Sequence, residues 1–213
     1  MNKKRYRGCL LGGAIGDALG LPYVGLTREQ IAERSCTGFA DPSETMSSVV
    51  PVSDLGDSTT GEKLLAGQWS EDTQLTLALA ECLIDEQGIF VPESWAHSLA
   101  RWVNQGPRAP GISSLQAAIQ FRTGGVEWDE GADPEGAGAG PAARSAPIAL
   151  RWPYDSLQRR RIAVLQASVT HGHPDAQAAS LAMSEAIAIA LAADRETGEW
   201  KPSSSQSGKW EKS

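Results

Sequence analysis

A chain of 213 residues and 22.6 kDa is long enough for one domain with a sizeable core, and 41% apolar with 21% charged residues is a globular composition, neither disordered nor membrane-embedded. Nineteen basic against 26 acidic residues leave a net charge of −7 and a pI near 5.0, so the surface repels phosphates and nucleic-acid backbone binding is not expected. Three cysteines, Cys9, Cys36 and Cys82, are odd in number and in no metal-binding spacing, which suits a reducing compartment.

Residues 1–7 are basic and residues 9–21 small and apolar, the outline of a signal peptide. Asp17 interrupts that stretch, and Gly12, Gly13, Gly16 and Gly20 dilute it. No stretch reaches the roughly 18 consecutive apolar residues of a membrane span. A cytoplasmic chain without a membrane partner is expected.

In chain order, the small residues of 8–19 predict a buried helix that lets neighbours approach closely. Residues 38–67 are polar and rich in Ser, Asp, Thr and Gly, a long insertion. Residues 70–87 predict a helix with Ser70 as N-cap and Leu75, Leu79, Cys82 and Leu83 on one stripe, widened by Leu77, Ala78 and Ala80. A helix over 92–104 buries Trp95, Leu99, Trp102 and Val103; another covers 113–122 and stops at Gly124-Gly125. Residues 128–140, rich in Gly, Ala, Asp and Glu, cannot be regular. Helices follow over 159–170 and 175–194, the first opening on a solvated Arg159-Arg160-Arg161, the second packing through Leu181, Met183, Ile187 and Leu191. With no useful alternating run, the fold class is all-α: a compact multi-helix domain over 1–194 and a disordered polar tail over 195–213.

The densest chemistry is Trp69-Ser70-Glu71-Asp72-Thr73. Two adjacent carboxylates and a hydroxyl at a helix start can converge on a hard cation, or can simply cap the helix and complement its dipole; both readings stand. Asp17, inside a small apolar helix, is either a hydrogen-bonded structural acid or a catalytic one. His171 and His173 have a metal-compatible spacing but no second ligand type nearby.

Four other segments join that cluster: residues 8–20, Gly111-Ile112-Ser113, residues 138–147 and Thr170-His171. In this order they resemble the ADP-ribosylglycohydrolase family. Its opening G-C-L-x-G-x-x-x-G-D-A-x-G matches Gly8 to Gly20, its W-[ST]-D-D-T matches Trp69 to Thr73, and its G-I-[ST] turn matches Gly111 to Ser113. Its G-N-G-x-x-M-R-x-x-P loop matches Gly138 to Pro147 loosely, and its T-H pair matches Thr170-His171.

The resemblance implies an all-α domain with a magnesium centre of one or two ions. It implies a hydrolase that removes ADP-ribose from a modified side chain or other acceptor, with an ADP-ribosylated protein or a small ADP-ribosyl compound as partner. On this resemblance Ser70, Glu71 and Asp72 are metal ligands, with Glu71 and Asp72 catalytic, and Gly111, Ile112, Ser113, Gly138, Gly140, Arg144 and His171 bind substrate. The sequence departs from the family at Glu71, where an Asp is usual, at Val24 in place of a Glu, and at Ala139 and Ala143 in the glycine loop. The family's second acidic motif, D-x-D-T, is not found after His173. This is the pattern of the N-terminal two-thirds of the fold with weakened chemistry; a binding-only relative and a helical interaction scaffold are the alternatives.

Overall fold

A computed structural model describes residues 3–35 and 68–193, and the expectations for the 38–67 insertion, Cys36 and the 195–213 tail lie outside the described residues. The described residues are helical and contain no strand; a β-bridge pairs Asp133 with His171. None of the described helices is long and apolar enough to cross a membrane.

Helix α1 (Lys3–Gly20) runs into a 3-10 turn (Leu21–Tyr23) and then α2 (Arg28–Ser35). The expectation of a buried first helix is corrected: α1 has no buried residue, and Leu11 and Ile15 are each 58% exposed. Gly8, Gly12, Gly16 and Gly20 recur every fourth position on one face, and a Cβ on any of them would meet nothing. Among the described residues nothing packs closely on this small stripe. Helix α2 was not foreseen, although it opens on a capping box. The Thr27 N–H donates to Gln30 Oε1 at 2.8 Å and the Gln30 N–H donates to Thr27 Oγ1 at 3.3 Å.

Helix α3 (Glu71–Asp85) matches its prediction and buries Leu75, Leu79, Cys82 and Leu83; Leu77, read as part of the stripe, is 43% exposed. It ends where Gly88, at φ +83°, returns its N–H to the Leu83 carbonyl. Helices α4 (Pro92–Val103) and α5 (Ile112–Thr123) pack on each other, and α4 lies on α3. Trp95, Leu99 and Trp102 of α4 join the α3 stripe, Ile148 and Val169 in one core. Two short helices, α6 (Gly140–Ala143) and α7 (Ala146–Arg151), each with proline in the first turn, fill the segment before α8 (Ser156–Ser168) and α9 (Pro174–Ala192).

The packing face of α9 also differs from expectation. Ala176, Ser180, Ser184 and Ala188 are buried, four residues apart, while Met183 is 44% exposed. Small side chains let α6, α7 and α8 approach this helix closely, so Met183 is displaced outward, while Leu181 packs against the core as expected. Arg159, read as solvated, is buried: its Nε and Nη2 donate to Glu185 at 3.0 Å each, and Nη1 donates to the Trp152 and Pro153 carbonyls. That pair pins α8 to α9.

Candidate active site

The first turn of α3 is tied to α1 by one carboxylate. Asp17 Oδ2 accepts from the Ser70 and Thr73 N–H groups at 2.9 and 3.1 Å and from Thr73 Oγ1 at 2.6 Å, while Oδ1 accepts from Ser70 Oγ at 2.7 Å. Asp17 is therefore the hydrogen-bonded structural acid of the two readings, supplying acceptors for N–H groups that a helix start leaves open. Ser70 caps α3 by accepting the Asp72 N–H at 3.1 Å. With its proton on Asp17 and one lone pair on the Asp72 N–H, the Ser70 hydroxyl keeps a second lone pair.

Glu71 is buried beneath this turn. Its Oε1 accepts the Gly111 N–H at 2.7 Å, and its Oε2 is buried with no hydrogen-bond partner. Glycine is needed at 111 because a Cβ there would sit 2.6 Å from Oε1. Burial pushes the Glu71 carboxyl up to about 8, with the charges of Asp72 and Asp17 adding to the rise, against the Gly111 N–H and the Arg144 charge. Asp72 is half-buried, and burial followed by the Asp17 charge raises its carboxyl as well. It lines a cleft of about 580 Å³ between α1 and α3, together with Asp17, Trp69, Ser70 and Val24. Adjacent positions on a helix lie about 100° apart, so Glu71 turns inward to Gly111 while Asp72 opens into this cleft. Glu71 Oε2 has no hydrogen-bond partner, and Ser70 Oγ keeps one unused lone pair.

The loops expected to wrap a ligand are partly engaged with the protein itself. The Gly111 N–H belongs to Glu71, and Ser113 Oγ donates to Asp133 Oδ2 at 2.9 Å; Ile112 stands exposed between them. Gly138 and Gly140 do lie at the His171 ring. A Cβ on Gly138 would be 3.2 Å from His171 Nε2, and one on Gly140 would be 3.4 Å from Ser114 Oγ and 3.7 Å from His171 Cε1. Gly111 and Gly138 are not among the residues that line the α1 cleft, but Ala143 and Ala146 of the 138–147 segment line it together with Asp72.

Arg144 is fully buried, and its Nη1 has no hydrogen-bond partner. Its guanidinium lies over the Trp95 ring and donates to Gln166 Oε1 at 2.7 Å and to Thr170 Oγ1 at 2.6 Å. Burial lowers its pKa to about 10, and the Glu71 and Asp72 charges oppose that fall. His171 is also buried, and burial and the Arg144 charge lower its pKa to about 4, against the pull of Asp133. His173 caps α9, accepting the Asp175 N–H at Nδ1, which removes it from any metal role with His171. Among the described residues no group of three or more His, Cys, Asp or Glu side chains is arranged to hold a metal ion.

Asp133 escaped the sequence reading. Its carboxylate takes Ser113 and the Glu135 N–H, and its backbone pairs with Thr170 and Gly172 on either side of His171. The signal was present in Asp133-Pro134-Glu135-Gly136, a turn whose first side chain bonds the backbone two residues on.

The ADP-ribosylglycohydrolase family profile matches residues 2–208. The chain belongs to the ADP-ribosylglycohydrolase family. An uncharacterized protein of Archaeoglobus fulgidus is 34% identical over 188 residues, 87% of this chain and 55% of that protein. The ADP-ribosylarginine hydrolase Tri1 of Pseudomonas putida is 28% identical over 200 residues, 90% of this chain and 48% of its own length. A solved chain of an ADP-ribosylglycohydrolase-related protein complex superposes with a TM-score of 0.64 at 28% identity, over 89% of this chain and 56% of the other. The chain therefore spans about half the length of the curated relatives it matches.

Proposed function

We propose that this chain is a magnesium-dependent ADP-ribosyl hydrolase domain that releases ADP-ribose from a modified side chain or other acceptor. The observation that carries the reading is the buried, unpartnered Oε2 of Glu71 next to Asp72, in the family's W-S-x-D-T turn. A carboxylate oxygen buried without a donor is costly unless a proton or a cation meets it. Magnesium takes oxygen ligands and is usually held by one or two carboxylates, with water and substrate oxygens completing the shell, which fits Glu71 and Asp72.

In this reading Glu71 and Asp72 would hold the ion, whose chemistry when bound would be to polarise ribose hydroxyls and activate a water. The Gly111 N–H fixes one Glu71 oxygen so that the other stays free for the site. Asp17 and Ser70 hold the helix end that carries both carboxylates. The Gly138–Gly140 turn lies close against the His171 ring. An ADP-ribosylated arginine is the substrate to try first, from the Pseudomonas putida relative. Free thiols at Cys9 and Cys82 support a cytoplasmic setting.

The binding-only reading has its own support: Val24, at the position of a family Glu, lines the Asp72 cleft and offers no oxygen. Magnesium titration with ADP-ribosylarginine turnover separates the two. We expect weak magnesium binding that is lost in Asp72→Ala, and slow release of ADP-ribose that follows the ion. Identical binding isotherms for the two proteins would remove Asp72 from the ligand set. ADP-ribose binding without turnover would select the binding-only reading.

A further inference from the structure

Arg144, Thr170 and His171 form a directed chain of hydrogen bonds, and its direction follows from the chemistry of its ends. A guanidinium has only donors. Arg144 Nη2 therefore donates to Thr170 Oγ1, 2.6 Å away. The hydroxyl accepts that bond and has one proton to place. Two acceptors are within reach: the Ala167 carbonyl at 3.5 Å and His171 Nδ1 at 2.7 Å. The first is at the limit of a hydrogen bond, while the second has the length of a good O–H donor contact. The Thr170 proton therefore goes to Nδ1.

We propose that Arg144 and Thr170 are positioning residues that lock His171 as the Nε2–H tautomer, making it an obligate hydrogen-bond donor to a ligand oxygen over Gly138. A neutral imidazole that accepts at one nitrogen carries its proton on the other. Nε2 faces the space that the absent side chain of Gly138 leaves, where a Cβ would stand 3.2 Å away. Among the described residues no protein group accepts from Nε2, so the donor is kept for something that enters. The same tautomer excludes Nε2 as a metal ligand or general base, both of which need its lone pair.

The bracing extends below Arg144. Gln166 accepts the Arg144 Nε–H and donates through its amide to the Pro141 carbonyl and to Ser180 Oγ. The guanidinium is therefore tied to the short helix that opens at Gly140, the end of the loop that faces His171. The acceptor on the ligand is an oxygen of a hydroxyl or of a diphosphate; this part rests on the proposed ADP-ribosyl reading, whereas the tautomer does not.

The test is long-range proton–nitrogen NMR of the ring in the unliganded full chain, with binding of ADP-ribose and of ADP measured alongside. Wild type should show a single Nε2–H tautomer, and Thr170→Ser should keep it. Thr170→Val should release Nδ1, mix the tautomers and weaken ADP-ribose binding by roughly tenfold, the worth of one hydrogen bond. An equal loss for ADP places the acceptor on the diphosphate, and a loss for ADP-ribose alone places it on the terminal ribose. A wild-type His171 protonated at Nδ1 overturns the proposal, whether or not the valine variant folds. Altered tautomers with unchanged affinity overturn the donor role. A wild type that binds neither nucleotide, yet shows the Nε2–H ring, refutes the ADP-ribosyl reading and leaves the tautomer lock standing.

Discussion

Asp17→Ala is expected to destabilise the protein by about 3 kcal/mol in urea unfolding, the largest loss at any half-exposed position. Its carboxylate accepts four hydrogen bonds from Ser70 and Thr73, two of them from backbone N–H groups at the start of α3. Bonds to a charged acceptor contribute about 1.5–3 kcal/mol each when removed singly, and less than their sum together. Because α1 buries none of its own side chains, this link and the Arg5 bond to the Leu191 carbonyl help to seat it, so its amides should exchange faster in the variant. Asp17→Asn separates geometry from charge. Its amide oxygen can still take the three donors that meet Oδ2, so the loss should be near 1 kcal/mol. The negative charge is gone, however, and the Asp72 and Glu71 carboxyls, both raised in part by that charge, should titrate at lower pH. An alanine variant as stable as wild type would remove Asp17 from the framework of the site.

The second large effect is a pH dependence of stability that Glu71→Gln removes. Glu71 holds its proton to about pH 8 in the folded chain, against 4.5 as the ordinary value. Between those values the native state binds the extra proton, so stability falls as pH rises. His171 works in the opposite sense: with its pKa near 4 against 6.5, the unfolded chain binds the extra proton, and stability rises with pH across that window. The two slopes offset each other between about 4.5 and 6.5, leaving the Glu71 decline exposed from there to about 8. In metal-free buffer the wild type should lose stability over that upper window, on the order of one to two kcal/mol. Glu71→Gln, whose amide oxygen can still accept the Gly111 N–H, should be flat there. Saturating magnesium should restore wild-type stability near pH 8 and leave the glutamine variant unchanged, and ADP-ribosylarginine turnover should fall at least about a hundredfold in the variant. A wild type with no slope between pH 6.5 and 8 contradicts the buried carboxyl.

The readable parts of the fold were those in which one residue type does one job. Leu75, Leu79, Cys82 and Leu83 bury because their spacing allows nothing else, and Ser70 caps because a hydroxyl before an apolar run has few alternatives. What escaped reading depends on partners far along the chain. Nothing local distinguishes Arg159 from Arg160, yet one is buried on Glu185 and the other is 57% exposed. The face of α9 was misread because large apolar groups were taken to mark the core. In fact the crowding of α6, α7 and α8 selects Ser180 and Ser184. In the site, the Ser70–Asp72 turn was legible, but the Gly111 and Ser113 donors were assigned outward when Glu71 and Asp133 had already taken them. Motif spelling names which residues meet; it does not say which hydrogen bonds they have left.

Three contacts that build the candidate site join distant parts of the chain. Asp17 meets Ser70 across 53 residues, Glu71 meets Gly111 across 40, and Arg144 meets Thr170 across 26. Each of these is a loop that must close before its bond can form, and closure entropy makes such contacts late relative to pairs such as α8 with α9, which are neighbours in sequence. A partly folded chain can hold its helices and still have no site, because members that are adjacent in sequence, such as Ser70 to Asp72 or Thr170 and His171, are aimed by residues far along the chain. Chemistry and completion of the fold are thereby the same event: opening any one of the three closures frees Glu71 or His171 from the groups that aim it, long before the tryptophan core of α4 comes apart.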